Sequence, residues 1–132
     1  MAKWGVTKPV RLLLIGSGGQ VGGEILRLGW PVPVDIVAPV RAQLDIAHPM
    51  QVTALLKEGM FDVAINCAAY TVVDKAETDV EAAWRLNAVW PAVLASETGW
   101  LGIPIVRVST DYVFDGSKPG LESDPIRPLS LP

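Results

Sequence analysis

Glycines 16, 19 and 22 lie between a short apolar run and an amphipathic stretch, and this placement constrains the fold more than any other feature. The run Val10-Arg11-Leu12-Leu13-Leu14-Ile15 is short and stops at glycine. It reads as a strand buried on both faces, as parallel sheets require. Residues 16–22 form a tight loop. Residues 21–28 then read as a helix with Val21, Ile25 and Leu28 on one face, stopped by Gly29-Trp30-Pro31. In such a setting the first glycine permits the turn and the second lets backbone approach a pyrophosphate. The third lets the helix pack close to the strand. The helix start offers unpaired N–H groups and the positive end of its dipole to phosphate. A purely structural turn is the alternative, because glycine-rich turns are common.

The rest of the chain repeats the alternation. Residues 35–38 make a second strand, closed by Pro39. His48-Pro49 opens a second helix with Val52, Leu55 and Leu56 inward and Gly59 as its stop, and residues 62–66 form a third strand. Residues 79–98 read as a long helix, with Ala83, Leu86, Ala92, Val93 and Leu94 available for packing. Pro91 lies inside it, which predicts a kink or break. Residues 103–109 form a fourth strand, and from Asp115 onward Gly, Pro and Asp mark surface loop. The expectation is an α/β fold of Rossmann type. It has three layers, a parallel sheet in the order 3-2-1-4 and right-handed crossovers, within one domain over residues 1–132.

Composition narrows the function classes. The net charge is −3, and no run of Lys or Arg forms a stripe for tracking phosphates, which argues against nucleic acid as a partner. Cys67 is the sole cysteine, so there is no intrachain disulfide and no cysteine-based metal site, and a reducing cytoplasm fits. The apolar runs fall far below the ~18 residues of a membrane helix, so no membrane is expected. Residues 1–9 lead directly into the first strand and do not read as a signal peptide.

A dinucleotide site of this type usually carries an acidic residue at the end of the second strand to bind a ribose hydroxyl. Pro39 occupies that position, and Asp35 lies at the wrong end of the strand. Arg41 follows and suits a 2′-phosphate, which favours NADPH over NADH; a solvated loop arginine is the alternative.

Three further stretches carry a family resemblance. They are the segment from Asp62 through Asn66-Cys67-Ala68-Ala69-Tyr70 to Glu77, the tetrad Arg85-Leu86-Asn87-Ala88, and Val108-Ser109-Thr110-Asp111-Tyr112-Val113-Phe114-Asp115-Gly116. Together with the loop at 16–22 they closely resemble the dTDP-4-dehydrorhamnose reductase family, of the extended short-chain dehydrogenase/reductase group, over about residues 10–130. The resemblance implies hydride transfer from NADPH or NADH to the 4-keto group of dTDP-4-dehydro-6-deoxy-L-mannose, giving dTDP-L-rhamnose. It implies a dTDP-sugar as substrate and leaves a homodimer open. By the same resemblance Gly16, Gly19, Gln20, Val21 and Gly22 belong to the cofactor loop and Asp45 and Ile46 lie near the adenine. Ala68, Ala69 and Tyr70 line the cofactor. Thr110 matches the hydroxyl residue of the catalytic triad, and Thr110 with Asp111 matches a substrate contact.

The family's Tyr-x-x-x-Lys pair is absent from these 132 residues: Tyr70 has Asp74 four residues on, and Tyr112 has Gly116. The expectation is therefore an N-terminal fragment, ending after about the fourth strand, with little or no reductase activity. The alternative is a non-catalytic nucleotide-binding subunit like the regulatory subunit of methionine adenosyltransferase. Other residues have plainer readings. Asn66 satisfies backbone at a strand end, Asn87 holds a neighbouring loop, and Asp74, Lys75 and Glu77 form a solvated helix start. Cys67 is a small buried apolar residue, His48 caps a helix, and the tryptophans at 4, 30, 84, 90 and 100 pack or sit on the surface.

Overall fold

The first strand, β1 (Val10–Ile15), is one of the two inner strands of the sheet. Leu12, Leu13 and Leu14 are at most 1% exposed, which requires cover on both faces and a strand on both sides. A computed structural model describes residues 8–44 and 48–127. In it β1 pairs in parallel with β2 (Val34–Val37) on one side and β3 (Val63–Asn66) on the other. The fourth strand, β4 (Ile105–Arg107), pairs in parallel with the far side of β3.

The α/β class and the parallel sheet are as expected, but the order is β2-β1-β3-β4 and not 3-2-1-4. The third strand crosses back over β1 instead of extending the sheet beyond β2. The composition of β2 explains the difference. It has four residues, carries Asp35 at half exposure in an ion pair with Arg11 of β1 (2.6 Å), and lies between Pro33 and Pro39. Charge and nearby proline suit an edge strand and not an interior one.

Reversing direction at β1 also divides the helices. Right-handed crossovers put α1 (Gln20–Arg27) on one face, and α2 (Pro49–Gly59) with the helices after β3 on the other. On that second face Leu13 and Ile15 pack with Val52 and Leu56 of α2, with Phe61, and with Leu94 of the last helix. On the α1 face, Val21 (48% exposed) and Leu28 (57%) are not covered, contrary to the sequence expectation. Gly22 is the residue that α1 buries, so the helix approaches the turn through a glycine and not through its large side chains.

After β3 come α3 (Val73–Ala76), α4 (Val80–Trp84), a π-helical turn (Arg85–Val89) and α5 (Trp90–Trp100). The break expected at Pro91 is this widened turn, just N-terminal to the proline, and the chain stays helical through it. Thr53 of α2 donates to Glu97 of α5 at 2.9 Å, joining the two helices across the layer. Among the described residues, no helix is long and apolar enough to cross a membrane.

The register matters most for function. Ile15 lies beside Asn66, and Asn66 beside Arg107. Three strands therefore end in one row, and the segments starting at Gly16, Cys67 and Val108 leave the same edge. Ligands of open α/β sheets bind at that edge, where the strand order reverses.

Candidate functional site

The reversal point lies between β1 and β3, and the glycine turn sits on it. Gly16 has φ +83°, a left-handed value that disfavours a side chain. A Cβ there would also lie 2.5 Å from the Ala68 nitrogen and 2.7 Å from the Cys67 carbonyl carbon. Gly19 donates its N–H to the Gly16 carbonyl at 3.1 Å, closing the turn. At Gly22 a Cβ would overlap the Gly16 carbonyl oxygen and come within 2.8 Å of Ser17 Cα. Gly16 and Gly22 are thus required by packing. Gly19 is not crowded in this way, and it stands exposed at the N-cap of α1. No side chain caps that helix end with a hydrogen bond, so its first amides have no acceptor from a capping residue.

The turn that leads into this helix, up to its N-cap Gly19, borders a cleft of about 710 Å³. Ile15 to Gly19 form its floor, Pro39, Val40 and Arg41 one end, and Cys67 to Tyr70 the wall beyond β3. Asp79, Arg85, Leu86 and Trp90 approach from the helices. A second, more open groove of about 650 Å³ lies between the end of β2 and α2, away from the glycine turn.

Of the residues singled out by sequence, Gly16, Gly19, Arg41, Ala68, Ala69 and Tyr70 meet in the first cleft. Gln20, Val21 and Gly22 form the first turn of α1 beside it. Asp45 and Ile46 lie outside the described residues. Thr110 and Asp111 follow β4 at the same sheet edge, and Thr110 is not among the residues that line the cleft. The Thr110 hydroxyl accepts the Tyr112 N–H at 3.2 Å at the start of a short 3₁₀ turn, Asp111–Val113.

The wall beyond β3 is held from several sides. Asn66, 4% exposed, accepts the Ala68 N–H on its side-chain oxygen at 3.0 Å. Asn87 binds the backbone of Tyr70 through both ends of its amide. Both asparagines therefore satisfy backbone groups, as the plainer readings anticipate. The Tyr70 hydroxyl donates to Asp79 at 3.2 Å. Burial first, then the hydrogen bond and charge of Asp79, push the Tyr70 phenol above the ordinary tyrosine range, so it keeps its proton at neutral pH. Burial likewise raises the Cys67 thiol, leaving little thiolate for nucleophilic chemistry. His48 holds the N-cap position of α2, ahead of Pro49. Trp30, Trp84 and Trp100 are exposed, and Trp90 packs against the core beside the cleft.

Sequence reasoning missed Asp79 as a cleft residue, having assigned it only to a helix start. Its signal was the tyrosine nine positions earlier, which the short helix α3 turns back toward it.

Comparison with known proteins places this arrangement among relatives. A family model described as RmlD substrate binding domain matches residues 10–131. A dTDP-4-dehydrorhamnose reductase of Mycobacterium tuberculosis is 40% identical over 118 residues, covering 89% of this chain and 38% of that protein. One from Burkholderia thailandensis is 39% identical over 127 residues, with 92% and 41% covered. The crystal structure of the Bacillus anthracis dTDP-4-dehydrorhamnose reductase in complex with NADP superposes with a TM-score of 0.88 at 32% identity, covering 94% of this chain and 45% of that one. This chain thus spans about two fifths of the length of the curated relatives it matches.

Proposed function

We infer the function from one premise: the chain belongs to the RmlD substrate binding domain family. It is the dinucleotide-binding part of an NAD(P)H-dependent reductase acting on the 4-keto group of dTDP-4-dehydro-6-deoxy-L-mannose. The observation that carries this reading is the glycine turn in front of α1, open on its ligand side and facing the cleft at the strand-order reversal. The names of the relatives support the sugar nucleotide, and the NADP complex of the Bacillus anthracis protein supports the cofactor. Those reductase names favour this reading over a regulatory subunit. A cytoplasmic setting and a homodimer belong to the same proposal, the latter tested by solution mass.

The residues fit the cofactor. A pyrophosphate on the uncapped start of α1 meets the backbone amides of the first turn, at Gln20 and Val21, and the positive end of the helix dipole. Gly16 and Gly19 keep side chains away from it. Arg41 lines the β2 end of the cleft and supplies charge for a 2′-phosphate, and the family resemblance assigns Asp45 and Ile46 to the adenine end. Ala68, Ala69 and Tyr70 form the wall against the second nucleotide. When bound, the reduced nicotinamide supplies hydride. Thr110 offers a hydroxyl to the substrate carbonyl, with Asp111 as a further substrate contact.

The general acid and its lysine are not among these 132 residues. General acid catalysis is worth roughly 10²–10⁴ in rate. The expected behaviour of this chain by itself is therefore NADPH binding with very slow or undetectable reduction of the sugar nucleotide. Calorimetric titration with NADPH and a turnover assay on the same preparation test both halves. Failure to bind either nicotinamide dinucleotide would overturn the cofactor reading, and turnover at ordinary enzyme rates would overturn the expectation that reduction needs a Tyr-x-x-x-Lys pair, which these 132 residues lack.

A further inference from the structure

Asn87 joins three segments. Its Oδ1 accepts the Tyr70 N–H at 2.8 Å, and its Nδ2 donates to the Tyr70 carbonyl at 3.1 Å. A side chain thus makes the pair of bonds that one strand residue makes to another. The backbone it grips is the cleft wall beyond β3.

The pose of Asn87 depends on a residue four positions later. Pro91 has no N–H, so the Asn87 carbonyl lacks its α-helical donor. The helix widens there into the π-helical turn Arg85–Val89, a deviation that recurs at functional sites. The Asn87 carbonyl takes its hydrogen bond instead from the guanidinium of Arg107, the last residue of β4. Arg107 stands three residues before Thr110. One residue, through its side-chain amide and its backbone carbonyl, therefore ties together the cleft wall, the broken helix and the strand leading to the hydroxyl residue.

We propose that Asn87, oriented by Pro91 and Arg107, is a positioning residue for one half of the bound dinucleotide. The inference rests on the dinucleotide reading of the cleft. With pyrophosphate at the start of α1 and the adenosine toward the end of β2, the other nucleotide crosses to the β3 side. Residues 68–70 lie on that side, so loosening them affects the nicotinamide half and leaves the adenosine half alone. Arg107 acts through Asn87, and its place is needed only because Pro91 removed the helical donor.

The test is calorimetric titration of the chain and its variants with NADPH and, separately, with adenosine 2′,5′-bisphosphate, the adenosine half. Asn87→Ala is expected to weaken NADPH about tenfold, the equivalent of about 1.4 kcal/mol, and to leave the bisphosphate within about twofold. A general loss of folded protein would weaken both ligands together. Arg107→Met is expected to act in the same direction; because Arg107 is exposed, it keeps the test informative if Asn87→Ala does not fold. Pro91→Ala supplies the missing helical N–H, so Arg107→Met should cost less NADPH affinity in that background than alone. Equal loss of both ligands, or no loss of NADPH, would overturn the positioning role. Additive effects of Pro91→Ala and Arg107→Met would overturn the link between those residues. A parent chain that binds neither ligand would instead refute the dinucleotide reading beneath it.

Discussion

Replacing Gly22 with alanine sets two effects of similar size against each other. Alanine is favoured over glycine inside a helix by about 1 kcal/mol. Against this, the new Cβ would overlap the Gly16 carbonyl oxygen and sit 2.8 Å from both the Gly16 carbonyl carbon and Ser17 Cα. All three are backbone atoms, and Gly16 cannot retreat, because its own Cα side already faces the Ala68 nitrogen. Overpacking costs about 1–3 kcal/mol, and an unyielding backbone puts this case at the upper end. The net expectation is a loss of roughly 1–2 kcal/mol, together with a shifted turn and at least tenfold weaker NADPH binding. Gly23 is the internal control. It occupies the same helix, and its nearest neighbours to an added Cβ lie at 3.8 Å. Gly23→Ala should therefore gain about 0.5–1 kcal/mol from propensity alone. Urea unfolding followed by tryptophan fluorescence measures the stabilities, and calorimetry the affinities. If the two variants behave alike, close packing of α1 on the turn is not what selects Gly22.

Three further outcomes are expected. Arg41→Ala should weaken NADPH by roughly 10- to 100-fold, the worth of a charge-assisted contact, and leave NADH unchanged; equal effects on both would make Arg41 a surface residue. Leu94→Ala removes a side chain 2% exposed between the sheet and α2 and should cost about 2–5 kcal/mol by urea unfolding, so a loss below 1 kcal/mol would refute its place in the core. Because the folded pKa of Tyr70 is raised, its contribution to stability is complete below the ordinary tyrosine range and is lost as pH rises through the raised value. Tyr70→Phe should flatten that alkaline decline in unfolding free energy, and an unchanged slope would assign the decline to other groups.

What could be read from sequence was local. The strand Val10–Ile15 coincides with its expected limits, because an apolar run cut by glycine has few other options. The helix after His48-Pro49 likewise starts and stops at its proline and glycine signals. The glycine turn was legible with its division of labour, since Gly16 and Gly22 each meet backbone that only glycine can approach. The strand order was not, because alternation says that strands follow helices and not to which side they return. Asp35 carried the missing information, since a charged residue in a four-residue strand suits a sheet edge. At the site, Ala68 to Tyr70 emerged from their position after a strand. Asp79 did not, because its role comes from a chain reversal across α3. Pro91 foretold a disturbance in the helix, but the partner that relieves it, Arg107, lies on a strand that no helical pattern addresses.

The inner position of β1 has a consequence for the time course of folding. Both of its neighbours come later in the chain: Val10 waits for Val34, and Leu12 for Val63. Each parallel pairing must close a long crossover before any ladder bond rewards it, and distant pairings of this kind slow folding. From the moment β1 is made until β3 arrives, its four consecutive buried residues, Leu12 to Ile15, have one side without a strand. During that interval the chain's greatest exposure to misassociation lies in the same segment that later anchors the sheet. Changes in α2, which carries the chain back across β1, should therefore register first in refolding rate and yield.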